Sequence, residues 1–178
     1  MSFSFFKIFA FFYCLNNYLL VIIEVPSGRK WEKVGNMFFG SFSHSLDDKG
    51  RLVIPRKMRD ELGSKAYITK GFDGALAIYK SDAFEKLMNE ANNLPFNKKD
   101  PRAYLRLQLA QMSELEIDKM GRVQLPTALL NRYHIGKDVI VLGVSDHIEV
   151  WDQKAFEEYI ASIDSEFENI AENLESGE

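Results

Sequence analysis

Cysteine occurs once in this chain of 178 residues, at Cys14, so no internal disulfide can form and no cysteine metal cluster exists. That economy fits a reducing compartment. Histidine is nearly as scarce: His44, His134 and His147 stand far apart, no two at helical spacing, and no metal site is expected from them. Glycine is never concentrated into a phosphate-cradling loop, and no Ser/His/Asp constellation stands out. The carboxylates near the C-terminus read as a solvated helix face with no sign of a catalytic pair. These absences leave no visible catalytic site and no implied cofactor, so an enzyme is not expected.

Positive charge is almost missing from one end of the chain. Residues 146–178 hold eleven acidic side chains and a single basic one, Lys154. Residues 37–145 hold 17 Lys and Arg against 13 Asp and Glu. The net charge of -4 therefore hides a mildly basic body behind an acidic tail, and the local field is what steers a charged partner.

The first 36 residues differ in style from the rest. Phe3 to Ile23 is strongly apolar, interrupted by Lys7, Asn16 and Asn17, and its length suits one membrane span of roughly 20 residues. No strong basic region precedes it and no small-residue cleavage site follows Ile23, so it reads poorly as a signal peptide. Two readings stay open: a membrane anchor, or a non-native extension from a start assigned upstream of Met37.

From Met37 onward the chain repeats itself. Asp47, Gly50, Arg51 and Pro55 recur 71 positions later as Asp118, Gly121, Arg122 and Pro126. Leu52 and Ile54 recur as Val123 and Leu125. At an offset of 72, Gly71 matches Gly143, Ile78 matches Val150, Tyr79 matches Trp151, and Ala83-Phe84-Glu85 matches Ala155-Phe156-Glu157. The spacing divides the chain into an extension over 1–36, a first repeat over 37–94, a linker with a helix over 95–113, a second repeat over 114–163 and an acidic tail over 164–178.

Each repeat has one grammar. An extended stretch enters an Asp-x-x-Gly-Arg turn in which Gly50 or Gly121 takes positive φ. A short strand follows (51–54 or 122–125), then proline at the start of a short helix ending near Gly63 or Gly136. Two further strands come next, 66–70 with 75–79, and 139–142 with 147–151. Ser81 and Asp152 are expected as N-caps of the helices 81–92 and 154–168. A linker helix is expected over 102–112. Phe156, Tyr159, Ile160, Ile163 and Phe167 recur at helical spacing, as core or subunit contact. Neither unit can bury a large core alone, so the two are expected to pack together.

These residues resemble the MraZ family. The matching features are Met37-Phe38-x-Gly40, the block Leu46-Asp47-Asp48-Lys49-Gly50-Arg51-Leu52-x-Ile54-Pro55, and the second block from Glu116 to Pro126. A single Asp-x-x-x-Arg motif is weak, whereas two in matching context are specific. The resemblance covers about residues 37–163. It implies a mixed α/β chain of two tandem AbrB-like β-barrel repeats forming a pseudo-twofold unit with flanking helices. It also implies a cytoplasmic, nucleoid-associated repressor of the division and cell-wall gene cluster, including its own gene. Such proteins bind G-rich direct repeats in double-stranded DNA as ring-shaped homo-oligomers. The competing readings are another AbrB-type or antitoxin-like DNA binder, and a membrane-anchored interaction protein.

Arg51 is the first candidate for DNA contact, because Arg bidentate to guanine is the commonest specific contact and suits a G-rich site. Lys49, Arg56 and Lys57 are candidates for phosphate contacts. A solvated helix face accounts equally well for Arg56, Lys57 and Arg59; Arg59 and Arg122 are the weaker candidates, and Arg122 lacks the basic surroundings of Arg51. Asp47, Gly50, Asp118 and Gly121 are assigned to shaping the turns, and an Asp47–Arg51 salt bridge that merely staples the turn is the competing explanation. The divergence of the two motifs predicts a division of labour, with the first repeat toward DNA and the second toward protein.

The extension also reads as DNA. Trp31-Glu32 must be encoded by TGGGA, Val34-Gly35 can be GTGGGN, and Ser27-Gly28 can be AGTGGG. Three TGGG boxes then lie 10 bases apart, close to one helical turn of roughly 10–10.5 bp. Head-to-tail subunits match direct repeats, since they are related by rotation without inversion. Codons 27–36 are accordingly expected to carry the protein's own operator.

Overall fold

A computed structural model describes residues 11–15, 18–25 and 28–176. Strands β1 (Phe11–Leu15), β2 (Tyr18–Val25) and β3 (Gly28–Asn36) form an antiparallel meander. The stretch expected to span a membrane is therefore extended at 11–15 and 18–23, while residues 3–10, 16 and 17 lie outside the described residues. No helix among the described residues is long and apolar enough to cross a membrane.

The first repeat supplies β4 (Phe38–Ser45), β5 (Arg51–Val53), α1 (Arg56–Leu62), β6 (Lys65–Lys70), β7 (Leu76–Lys80) and α2 (Ser81–Asn92), and the linker supplies α3 (Lys99–Leu109). The second repeat supplies β8 (Ser113–Glu116), β9 (Arg122–Gln124), α4 (Thr127–Arg132), β10 (Asp138–Ser145), β11 (His147–Asp152) and α5 (Gln153–Ile163). A 3-10 turn (Asp164–Glu166) leads from α5 into α6 (Phe167–Ser176).

The strands of the two repeats interleave. One six-stranded antiparallel sheet runs β4-β10-β11-β7-β6-β8, and β5 pairs with β9 in a separate ribbon. Exchanging each strand for its counterpart reverses the sheet order and leaves it unchanged. This is the pseudo-twofold expected from the repeat. Its axis passes through the ribbon at the pair Leu52↔Val123, flanked by Arg51↔Gln124 and Val53↔Arg122. Two tandem closed barrels do not form: among the described residues the body has one open sheet to which both repeats contribute, plus the ribbon. Each repeat places its first strand at an edge of that sheet, β4 beside β10 and β8 beside β6.

Alternation along the strands sorts side chains into two faces. Phe38, Ile68, Leu76, Ile78, Val139, Val141, Ile148 and Val150 point to one side, where they meet Leu52 and Val123 of the ribbon and Met58, Leu62 and Leu129 of α1 and α4. That core draws on both halves, so neither half buries its apolar face without the other. On the opposite side α2 lies on β6 and β7, α3 on β6, and α5 on β10 and β11. There Trp151, Ile140 and Ala75 form a smaller cluster under Phe156 and Tyr159. Leu52 is fully buried at the axis. Leu52→Ala is expected to lower the unfolding free energy by about 2–5 kcal/mol in a urea titration, because the cavity lies where the halves meet.

Local expectations fail where longer-range contacts dominate. Strand β10 does not stop at residue 142; it runs on to Ser145, because Gly143 and Val144 pair with both His147–Ile148 on β11 and Phe39–Gly40 on β4. Helix α4 ends at Arg132, four residues before Gly136, with His134 at positive φ. Ser81 is the first helical residue of α2 and Lys80 is its N-cap. Asp152 does cap α5, accepting from the amides of Lys154 and Ala155. Pro55 and Pro126 stand just before their helices in extended conformation, as N-caps. The linker helix spans 99–109, and the expected helix 154–168 is broken by the 3-10 turn at 164–166.

Candidate nucleic-acid interface

The two Asp-x-x-Gly-Arg turns share one geometry. Asp47 Oδ1 accepts from the backbone amides of Lys49 and Arg51, both at 2.9 Å, and Oδ2 accepts from Arg51 Nε at 2.6 Å. Asp118 Oδ1 accepts from the amides of Met120 (2.8 Å) and Arg122 (3.0 Å), and Oδ2 from Arg122 Nε at 2.7 Å. Gly50 and Gly121 complete the turns at φ 72° and 75°, where a side chain would be strained. Hydrogen bonds from the Arg51 and Arg122 amides, partly offset by desolvation, hold the Asp47 and Asp118 carboxyls below the usual aspartate range.

Each turn is tied to the other repeat. Gly50 O accepts from Leu125 N, and Gly121 O accepts from Ile54 N. Gln124 donates its side-chain amide to Lys49 O. These bonds brace the ends of the ribbon, so the arginines sit on a positioned frame and not on a loose loop.

The ribbon has a clear inside and outside. Leu52 and Val123 face the core, while Arg51, Val53, Arg122 and Gln124 lie on the outer face. Strand spacing places the Cα atoms of the two arginines about 8 Å apart. The aspartates engage Nε of each arginine, and Arg51 Nη2 also meets Asp47 Oδ2 at 2.6 Å. A guanidinium has five N–H donors, so each arginine keeps donors beyond those held by its aspartate. The stapled turn and the outward-facing arginine are therefore one arrangement: the carboxylate orients the fork.

The other candidates separate. Lys49 is exposed on the first turn, and Arg56 and Lys57 are exposed at the start of α1. Arg59 is turned inward instead. Its Nε donates to Ile54 O at 2.6 Å, and its guanidinium covers Gly121 so closely that a Cβ there would collide with it. In the second repeat Leu130 takes the corresponding place over Gly50 more loosely, its Cδ1 3.2 Å from where a Cβ would stand. Arg59 thus seals the seam between the halves. Arg122, set apart by its poorer surroundings in the sequence, shares the outer ribbon face with Arg51. Sequence reasoning missed that juxtaposition and also the part of Gln124, because neither follows from spacing within one repeat.

A second polar cluster lies away from the ribbon. His147 stacks on Tyr79 at 4.9 Å, with Nδ1 2.8 Å from Asp146 and Nε2 3.6 Å from Glu149, which also accepts from the Trp151 indole at 2.8 Å. Burial opposes charge on His147, but Glu149 and Asp146 outweigh it and raise its pKa above 6.5. Burial pushes Tyr79 up to about 12. A raised histidine contributes stability that is fully present below its unfolded pKa and is lost as pH rises through its folded pKa. His147 therefore contributes a fall in the thermal midpoint as pH rises above about 6.5, and His147→Gln is expected to flatten that slope. A His147 resonance, identified by its loss in His147→Gln, that titrates below 6.5 in the native protein would contradict this assignment; the pKa of His44 is itself lowered, by burial and by Arg59.

Comparison with known proteins places this geometry. The family described as "MraZ protein, putative antitoxin-like" matches residues 37–107 and again 109–176. A protein named transcriptional regulator MraZ from Caldanaerobacter subterraneus subsp. tengcongensis is 44% identical over 140 residues, covering 79% of this chain and 98% of that protein. Proteins of the same name from a Thermoanaerobacter species and from Mesoplasma florum are 43% and 42% identical, covering 78% and 79% of this chain and 97% of each relative. The duplicated motif, the pseudo-twofold built on it and these matches across both repeats lead to one conclusion: the chain belongs to the MraZ family.

Proposed function

We propose that this protein is a sequence-specific DNA-binding transcriptional regulator, acting as a repressor of the division and cell-wall gene cluster that includes its own gene. One observation carries the reading: Arg51 and Arg122 lie together on the outer face of a braced two-stranded ribbon, each oriented by an aspartate. A two-stranded ribbon fits the major groove, and an oriented guanidinium matches the O6 and N7 acceptors of guanine. Arg51 reads the base edge, with Arg122 beside it, while Lys49, Arg56 and Lys57 contact phosphates and make affinity salt-dependent. The interleaving of β4 to β11 supports reading the two repeats as an AbrB-like pair that exchanges strands. Copies of the chain assemble head to tail as a ring and meet direct repeats of a G-rich box.

A gel-shift titration tests this, with purified full chain and a duplex of the gene's own sequence encoding residues 20–40. Binding that disappears when every TGGG is scrambled supports the reading. Equal affinity for native and scrambled duplexes at moderate salt would leave only nonspecific electrostatic binding and remove the sequence-specific claim.

A further inference from the structure

The outer face of the β5–β9 ribbon has a twofold frame but not a twofold chemistry. Register sets Arg51 opposite Gln124 and Val53 opposite Arg122. The pseudo-twofold exchanges Arg51 with Arg122, Val53 with Gln124, and Lys49 of the first turn with Met120 of the second. The arginines survive that exchange and the other two pairs do not. One end of the ribbon carries Arg51, Gln124 and Lys49 and is polar and basic. The other carries Arg122 with two apolar side chains in the open, Val53 at 37% exposure and Met120 at 66%. A single exposed apolar side chain is ordinary on a protein surface. These two stand out because each replaces a polar counterpart at the same place in the repeat.

The apolar group that the major groove of DNA offers is the C5 methyl of thymine. The box forced by Trp31-Glu32, TGGGA, sets a thymine directly before three guanines. Spacing on the ribbon suits that order. Side chains two residues apart on one face of a strand stand about 7 Å apart, and successive bases rise about 3.4 Å. Val53 and Arg51 are therefore spaced for positions about two base pairs apart.

We infer that Val53 reads the thymine of the box through its C5 methyl, and that this contact sets the direction in which the ribbon lies along the groove. With Val53 on the thymine, Arg51 falls among the guanines. A ribbon alike at both ends would present the same groups in either direction and favour a palindrome. TGGG is not a palindrome, and the exchange of Gln124 for Val53 and of Lys49 for Met120 makes one end of the ribbon fit the thymine. The inference rests on the DNA-binding reading of this face and adds to it the residue that orients the protein on its site.

Replacing one thymine by deoxyuridine tests it, because that removes the methyl and leaves every hydrogen-bonding group of the base pair. The full chain is titrated in a gel shift at one fixed salt concentration. The probes are the duplex encoding residues 20–40, the same duplex with deoxyuridine in the Trp31 box, and the scrambled duplex. The native chain is expected to bind the thymine duplex about fourfold more tightly than the deoxyuridine duplex, the factor for one buried methyl-sized group. Val53→Gln installs the side chain that the twofold counterpart already carries on this ribbon. It is expected to bind the two duplexes about equally, with an unchanged circular dichroism spectrum. A native chain that prefers native over scrambled DNA but does not distinguish thymine from deoxyuridine overturns the inference and leaves sequence-specific binding standing. Discrimination that persists undiminished in Val53→Gln also overturns it, since another group then reads the methyl. A native chain that binds native and scrambled duplexes alike overturns the DNA-binding specificity proposed above and this inference with it.

Discussion

Arg51→Ala is expected to weaken binding to the native TGGG duplex by about ten- to a hundredfold, while leaving the thermal midpoint nearly unchanged. The magnitude is that of one lost bidentate arginine–guanine contact, about 1–3 kcal/mol. The stability expectation rests on exposure. Arg51 and Asp47 sit at the surface, 33% and 38% exposed, and their ion pair is screened by water. Binding to the scrambled duplex should fall much less, because a base contact carries the discrimination and phosphate contacts carry the rest. Asp47→Asn separates orientation from charge. It retains an acceptor oxygen for the turn amides but loses the carboxylate that holds the Arg51 fork. If the aspartate orients the arginine, specificity falls although one negative charge near DNA has been removed. If the pair only staples the turn, removing that charge leaves specificity intact and raises affinity. Arg122→Ala decides the question of the second repeat. A loss comparable to that of Arg51→Ala follows if both arginines on the ribbon face meet bases, and no loss follows from the division of labour read in the sequence.

Gly143→Ala is expected to be the most destabilising single-methyl change in the body. A Cβ at this position would lie 2.6 Å from the carbonyl carbon of Phe38 and closer still to the amide nitrogen of Phe39. Those are backbone atoms of the adjacent strand, so no side-chain rotation relieves the clash. Gly143 pairs with Gly40 on β4 and with Ile148 on β11, and a shift on one side disturbs the other. Overpacking of this kind costs about 1–3 kcal/mol and more when backbone must move. Because β4 is an edge strand, the expected response is its partial detachment. Hydrogen exchange should show amides of 38–45 losing protection before those of β7 and β11. Uniform loss of protection would instead mean that the edge strand unfolds with the whole sheet. Gly71, the matching glycine of the first repeat, meets Ala75 O at 3.0 Å from a built Cβ and is expected to tolerate alanine better.

The sequence by itself determined the parts that depend on a few neighbouring residues. Gly50 and Gly121 were readable as positive-φ positions because an Asp-x-x-Gly turn needs that backbone, and proline marked the start of each short helix because it cannot continue a strand ladder. The duplication was readable because it is a property of the letters, and the twofold relation of the fold follows from it. Tertiary structure alone decided which strands pair. Nothing within one repeat says that β5 must find β9, and that pairing brings Arg51, Arg122 and Gln124 onto one face. Distance in sequence likewise concealed that Arg59 seals the seam over Gly121 while its counterpart Leu130 stands more loosely over Gly50. It also concealed that Gly143 continues a strand, since its neighbour β4 lies a hundred positions earlier. Local backbone preferences act over three or four residues, whereas the register of a sheet is set by burying one apolar face against another, and that energy exists only once both halves are in place.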